Sequence, residues 1–143
     1  MDNILKKNLA FILIICIFFN SLLPSLAFAE TEYSFNDGQV HEINGAFVNE
    51  PISVTNGSEL ILEGNADIIN VTFDSGTIVT GESRVLNVNN DSSATVTGDV
   101  NYVTIYNNSE ASIGGDVVVL EISDHSNATI NGDVIERISA GGP

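Results

Sequence analysis

The fold is decided by a heptapeptide that recurs every 17 residues. Its sequence is ATVTGDV at residues 94–100, ASIGGDV at 111–117 and ATINGDV at 128–134. The alternation of apolar and polar residues in its first half is typical of a short strand with one buried face. The Gly-Asp pair that follows favours a tight turn. Each heptapeptide therefore predicts a strand, a turn and the start of the next strand.

The same period continues towards the amino terminus without insertion over five coils. Three columns of apolar residues recur at this spacing: Ile52, Ile69, Leu86, Val103 and Leu120; Val54, Val71, Val88, Ile105 and Ile122; and Leu62, Val79, Val96, Ile113 and Ile130. Two columns of small residues accompany them: Gly64, Gly81, Gly98, Gly115 and Gly132; and Ser58, Ser75, Ser92, Ser109 and Ser126. Stacked coils lie about 4.8 Å apart, so residue i packs on residue i+17 and a buried column must be apolar at every level. The pattern predicts an all-β, single-domain parallel β-helix, a triangular solenoid of about six coils with three short strands each.

The period divides the chain after residue 29 into three segments. Residues 51–136 hold the regular coils, and residues 137–143 form a carboxyl-terminal tail. Residues 30–50 are predicted to form a degenerate first coil that caps the amino end. Phe35, Ile43, Gly45 and Phe47 there align with Val88, Val96, Gly98 and Val100, once two extra residues are placed near Glu50-Pro51.

Residues 1–29 have the layout of a secretory signal peptide. Two lysines precede an apolar run at residues 9–19, and Pro24 and the sequence AFA at 27–29 follow. We expect cleavage after Ala29 and export to the medium or the cell surface, with no stable membrane insertion. The alternative is an uncleaved helix that anchors the chain in the membrane, since about 20 apolar residues span a bilayer.

The composition excludes several classes of partner. The formal charge of −15 becomes −16 once Lys6, Lys7 and Asp2 are removed with the signal, leaving Arg84 and Arg137 as the only basic residues besides histidine. Such a surface repels phosphate backbones, so no nucleic acid is expected to bind. It would also repel acidic polysaccharides, and the regular coils carry none of the loop insertions from which solenoids build catalytic grooves. A polysaccharide-active β-helix enzyme is therefore the least favoured of three functions.

Polar columns are the remaining candidates for chemistry. Asp99, Asp116 and Asp133 stack at one turn. There they either hold calcium between coils or accept hydrogen bonds from neighbouring backbone amides within the tight Gly-Asp turn. We favour the second interpretation because no second column of carboxylates lies nearby. Asn90, Asn107 and Asp124 are predicted to form a side-chain ladder, and neither His41 nor His125 has an evident partner. No catalytic residue, metal ligand or cofactor is predicted.

The three heptapeptides, at a spacing of 17, resemble the repeat of the bactofilins over residues 58–136. The resemblance implies a right-handed triangular β-helix and a polymer-forming scaffold that assembles end to end without nucleotide. Two features differ from that family. The strand that holds Val103 and Ile105 begins about two residues earlier, and the chain carries an export signal.

The carboxyl-terminal coil is the predicted site of self-association. Glu136 and Arg137 replace apolar residues there, and little chain follows to cover the last coil. Exposed ends of solenoids template further stacking, so we expect homo-oligomers or polymers with Val134, Ile135 and Ile138 at the contact. The alternative is an adhesin-like binding module at the cell surface. Its candidate contacts are the aromatic residues Tyr33, Phe73, Tyr102 and Tyr106.

Overall fold

A computed structural model describes residues 32–45 and 48–139, which form thirteen β-strands and no helix. The strands are β1 Tyr33–Phe35, β2 Val40–Asn44, β3 Ile52–Val54, β4 Glu59–Glu63, β5 Ala66–Thr72, β6 Gly76–Val79, β7 Ser83–Asn89, β8 Ser93–Val96, β9 Val100–Tyr106, β10 Glu110–Ile113, β11 Val117–Ile122, β12 Asn127–Ile130 and β13 Val134–Ser139. Within these ranges no helical segment is long and apolar enough to cross a membrane. The predicted signal peptide lies outside the described residues.

Two parallel sheets build the molecule. The odd-numbered strands form a seven-stranded sheet, sheet A, and the even-numbered strands form a six-stranded sheet, sheet B. Each coil contributes one strand to each sheet, so neighbouring strands in a sheet are one coil apart. The three heptapeptides lie in register, with Ala94 beside Ala111 and Ala111 beside Ala128. The predicted parallel β-helix with a 17-residue repeat and about six coils is confirmed.

The predicted third strand of each coil is merged with the second. In β9, Val100 is buried, Asn101 and Tyr102 both point outwards, and Val103 and Ile105 are buried again. Two successive outward residues break the alternation of a flat strand, in which neighbouring side chains point to opposite faces. The first residues of β9 and its equivalents therefore form a short side of their own within one continuous strand.

The core is a stack of apolar columns inside the coils. The columns that begin at Ile52, Val54 and Leu62 are buried through Leu120, Ile105 and Ile113 respectively. A fourth inward column runs Leu60, Thr77, Ala94, Ala111 and Ala128, so its residues are smaller towards the carboxyl end. The columns remove apolar surface from water at every coil, which is the main stabilising contribution to the fold.

A buried column of serines runs beside the apolar ones. The amide of Ser92 donates to Oγ of Ser109, one coil further on, at 3.2 Å. Oγ of Ser92 donates in turn to the carbonyl oxygen of Asn90 at 3.3 Å. Ser75 and Ser109 repeat both bonds. Because a buried hydroxyl is costly without partners, this ladder explains how a polar column persists in the core.

The first coil departs from the predicted alignment at one point. Phe35 and Ile43 fall in the expected columns, beside Val54 and Leu62. Val48, rather than Phe47, pairs with Ala66. The first coil is two residues longer than the 17-residue period. One of these residues precedes Val48 and the other follows it, whereas the sequence alignment placed both near Glu50-Pro51. Phe47 itself lies outside the described residues.

At the other end, β13 continues in register to Ser139, with Arg137 beside Leu120. The strand thus extends three residues beyond the end of the regular coils at residue 136. Strand pairing uses backbone groups, so it tolerates the polar side chains that interrupt the apolar columns.

The stacking of the coils predicts that alanine destabilises the protein at one glycine and is tolerated at another. A Cβ at Gly115 would lie 2.7 Å from the carbonyl carbon of Gly98, whereas a Cβ at Gly76 would meet nothing closer than 3.7 Å. We expect Gly115→Ala to lower the free energy of unfolding by about 1–3 kcal/mol, because the coils must separate to admit the methyl group. Gly76→Ala is the matched control and should change it by less than about 1 kcal/mol. Urea denaturation measures both, and equal effects would contradict the close approach.

Candidate functional site

The last coil leaves the inside of the solenoid open. Ala128, Ile130 and Val134 continue the inward columns of Ala111, Ile113 and Val117. The side chain of Val117 is 0% exposed and that of Val134 is 37% exposed, although both occupy the same column. The loss of burial arises because no described residue forms a further coil above them. We call Ala128, Ile130, Val134 and Arg137 the open end.

The three residues predicted at the contact do not share one surface. Val134 belongs to the open end. Ile135 is 74% exposed and lies on the outer side of sheet A, beside Val118. Ile138 pairs through its backbone with Glu121. Neighbours in a strand point to opposite faces, so Val134 continues an inward column at the open end and Ile135 does not.

Arg137 occupies a core column at the open end. It pairs with Leu120, which follows Val103 in the same column. The side chain is exposed and makes no salt bridge to any residue that the structure describes. A guanidinium in this position cannot be covered by a further coil unless that coil supplies a π face or an acceptor. The open end therefore combines apolar surface with a cation that has no ion-pair partner in the described part of the chain.

The amino-terminal coil has a different inward surface. His41 takes the place of Leu60 in its column, and its ring lies 4.6 Å from that of Phe35. Its Nε2 lies 2.8 Å from Oδ1 of Asp37, so His41 does have a partner, contrary to the sequence prediction. This hydrogen bond, with a second from the amide of Gln39, holds the pKa of Asp37 below its ordinary value of 3.8. Aromatic rings and a polar pair thus terminate this end.

The aspartate column has a structural partner at each level. Oδ1 of Asp99 accepts the amide of Asp116 at 2.8 Å, and Oδ1 of Asp116 accepts the amide of Asp133 at the same distance. The acceptors bond the next coil rather than their own turn. Among the described residues no three acidic, histidine or cysteine side chains converge as a metal site would require. The geometry supports the interpretation of this column as a backbone-bonding ladder.

Calcium should therefore leave the protein unchanged. We expect the melting temperature to be the same with and without millimolar calcium, since a ligand that binds only the folded state would raise it. Differential scanning calorimetry at constant ionic strength measures this, with magnesium as the control for unspecific screening. A rise that is specific to calcium would show that the aspartates bind the metal.

Amides form the predicted ladder only in part. Nδ2 of Asn107 donates to Oδ1 of Asn90 at 3.1 Å and to Oδ1 of Asn89 at 2.8 Å. Asp124 accepts instead from the hydroxyl of Ser123. A second pair, Asn87 with Asn70 at 2.8 Å, was not predicted. Asn70 and Asn87 are 17 residues apart in the sequence, and this spacing is the signal that would have predicted the pair.

An ion pair lines a groove on sheet A. The guanidinium of Arg84 donates to both carboxylate oxygens of Asp67, one coil away. The groove has a volume of about 270 Å³ and is lined by Asn65, Ala66, Asp67, Glu82, Ser83, Arg84, Asp99 and Asn101. The Arg84 guanidinium holds the pKa of Asp67 below its ordinary value of 3.8. Arg84 and Asp67 are therefore occupied by each other.

The candidate aromatic contacts are dispersed. Tyr33, Phe73 and Tyr102 are exposed and Tyr106 is half-buried. The register places the four in different columns. Tyr102 is 50% exposed and lies on the outer side of sheet A, the same side as Val118 and Ile135. Val118 and Ile135 share one column, and Tyr102 lies in the neighbouring column one coil away.

Comparison with known proteins adds no relative. No family model, curated protein or solved structure matches the chain. The fold therefore stands on the register of the strands, and the function must be inferred from the site itself.

The Arg84–Asp67 pair predicts a pH-dependent difference between two variants. The folded-state pKa of Asp67 is lowered, so the pair stabilises the protein above the unfolded-state pKa, and this contribution disappears as the pH falls through the lowered value. Asp67→Asn should therefore melt below the wild type at pH 7, and the gap should close below pH 3.8. Asp91→Asn, which removes the same charge from an exposed turn, is the control. A gap for Asp67→Asn that persists in strong acid would contradict the ion pair as its cause.

Proposed function

We propose that the chain is an exported, non-catalytic structural protein, a β-helical scaffold that self-associates through its terminal coils. The open end is the observation that carries this proposal. Inward residues that are fully buried in one coil are partly exposed in the next, as Val117 and Val134 are. A monomer would keep this apolar surface in water, whereas a stacked copy would bury it.

The edges of the two sheets support the same conclusion. Sheet A begins at β1 and ends at β13, and sheet B begins at β2 and ends at β12. The terminal strands present backbone donors and acceptors without a neighbour among the described residues, and such edges pair readily with another chain. Both kinds of surface, apolar and hydrogen-bonding, coincide at each end of the solenoid.

The side walls offer little that a catalyst would need. The polar groups of the sheet A groove bond one another, and the aspartates that stack at one turn accept backbone amides. A second groove of about 240 Å³ on sheet B is lined largely by residues such as Ile61, Ile78 and Thr95, which carry no acid–base group. The resemblance of the three heptapeptides to the bactofilin repeat also supports a polymer-forming scaffold. Export is supported by the layout of residues 1–29.

A binding module is the second candidate function. Tyr102, Val118 and Ile135 form an exposed apolar group on the outer side of sheet A. Aromatic and aliphatic side chains of this kind are enriched where proteins contact partners. This group lies on a side wall, so it would serve a lateral partner and leave the ends free.

Two substitutions of equal exposure separate these functions. Val134 and Val118 are each 37% exposed, but Val134 faces the open end and Val118 faces the side. We expect Val134→Glu to weaken self-association at least about ten-fold, because a carboxylate would have to be buried at the contact. Val118→Glu adds the same charge and should leave association within about two-fold of the wild type.

Light scattering and sedimentation of residues 30–143 measure both variants. The measurements need moderate salt, because each copy carries a formal charge of about −16 and the copies repel one another at low ionic strength. Mass that grows with concentration and is lost in Val134→Glu supports the scaffold. A wild-type protein that stays monomeric at high concentration would exclude it and leave the binding module.

A further inference from the structure

We infer that the partner at the open end is the amino-terminal coil of a second copy, stacked head to tail in the frame of the solenoid. This inference rests on the proposed function, and it adds the orientation and the register of the contact. It follows from the columns that the first and last coils share. The two ends differ in chemistry, and the difference makes one fit the other.

The register assigns a partner to four residues of the first coil that occupy inward columns. Tyr33 and Arg137 both belong to the column of Ile52 and Leu120, so a second copy would place its Tyr33 on Arg137. The same rule places His41 on Ala128, Ile43 on Ile130 and Val48 on Val134. Every inward position of the open end then has a neighbour.

The sizes of the paired residues complement one another. The column of Ala111 and Ala128 is the narrow one, and the residue that meets it is the imidazole of His41, which already packs on Phe35. In the stacked assembly Ile43 and Val48 would meet residues of similar bulk, Ile130 and Val134. The bulky His41 would lie on the small Ala128, and the other pairs would join residues of similar size. Such contacts give close packing without overlap.

The guanidinium of the open end meets an aromatic ring. Arg137 is exposed and lacks an ion pair among the described residues, and Tyr33 is exposed in the same column at the other end. A guanidinium stacked on a tyrosine ring is a favourable contact when water is removed. Arg137 is thereby covered without leaving a buried charge unpaired.

Charge also distinguishes the possible orientations. The described part of the first coil carries four acidic residues and no lysine or arginine: Glu32, Asp37, Glu42 and Glu50. Two first coils facing each other would bring these acids together. Two last coils would bring together two copies of Arg137 and also of Asp124, Asp133 and Glu136. Head-to-tail stacking sets the arginine against the acidic end. Two contacts oppose it, since Asp37 would lie near Asp124 and Glu32 would lie on Glu136, and salt should weaken both repulsions.

Backbone pairing favours the same orientation. A copy translated along the axis keeps its strands parallel to β12 and β13, so the hydrogen-bond ladders continue at about 4.8 Å per coil. A head-to-tail contact uses two different surfaces and does not close, which gives an open filament rather than a dimer.

Cysteine pairs on the outer side of sheet B test the orientation. Glu42, Thr95 and Thr129 are exposed members of one outward column. In the stacked assembly Glu42 of one copy lies one coil, or about 4.8 Å, from Thr129 of the next. This separation is within the Cα range of about 4.4–6.8 Å that a disulfide bridges. Thr95 lies two coils further away and provides a matched control.

The experiment uses the full chain, exported with its own amino-terminal segment, in a Cys16→Ser background. We expect oxidation of an equimolar mixture of Glu42→Cys and Thr129→Cys to give covalent dimers, while each variant alone stays uncrosslinked. The double variant should give a ladder of dimers, trimers and longer species. A mixture of Glu42→Cys and Thr95→Cys should give none. Melting curves equal to the wild type will show that the substitutions leave the fold intact.

The outcomes separate the orientation from association itself. In one outcome, sedimentation shows association while one variant crosslinks to itself. Crosslinking of Glu42→Cys alone would show that two first coils meet, and crosslinking of Thr129→Cys alone would show that two last coils meet. Either result would overturn the inferred register and leave the scaffold function standing. Crosslinking of Thr95→Cys to the same extent would point to lateral contact and overturn it as well. A strictly monomeric protein without crosslinks would overturn the scaffold and the register together.

Discussion

One constraint governs the molecule: in the regular coils each side chain packs on the residue 17 positions away, in the next strand of the same sheet. A residue that suits one level must therefore suit the levels on either side of it. Apolar columns fill the interior, and the serine column persists because each hydroxyl and amide bonds the next level. Glycine is needed at Gly115 because the backbone of the preceding coil lies where a side chain would begin. The sequence repeats because the contacts repeat.

The ends are where this constraint is unsatisfied. A middle coil has a neighbour on both sides, but the last coil has one, and its inward residues lose burial accordingly. The two ends also resolve the problem differently. The first coil inserts a hydrogen-bonded histidine and aromatic rings. The last coil presents small apolar residues and an arginine that forms no ion pair with the residues the structure describes. This asymmetry gives the solenoid a direction, and it is the basis on which a scaffold function is proposed.

The fold could be predicted from the sequence because a period of 17 is visible in several independent columns. The strand that turns a corner was divided in two, since one broken alternation at Asn101–Tyr102 resembles a gap between strands. The candidate site was harder. Val134 and Ile135 are neighbours in sequence and both apolar, yet only Val134 of the two shares an inward column at the open end. The partners of His41 lay in the first coil, where the period is interrupted and register could not be counted.

The unbroken spacing of the regular coils also makes the solenoid a molecular ruler. Because each coil contacts only its neighbours, duplication or loss of a segment of 17 residues within 51–136 would lengthen or shorten the molecule by one increment of about 4.8 Å. Neither end surface would change, so the length could vary in evolution independently of how the copies join. The three heptapeptides at residues 94–134 share their first Ala and their closing Gly-Asp-Val, which is the pattern that repeated use of one such segment would give.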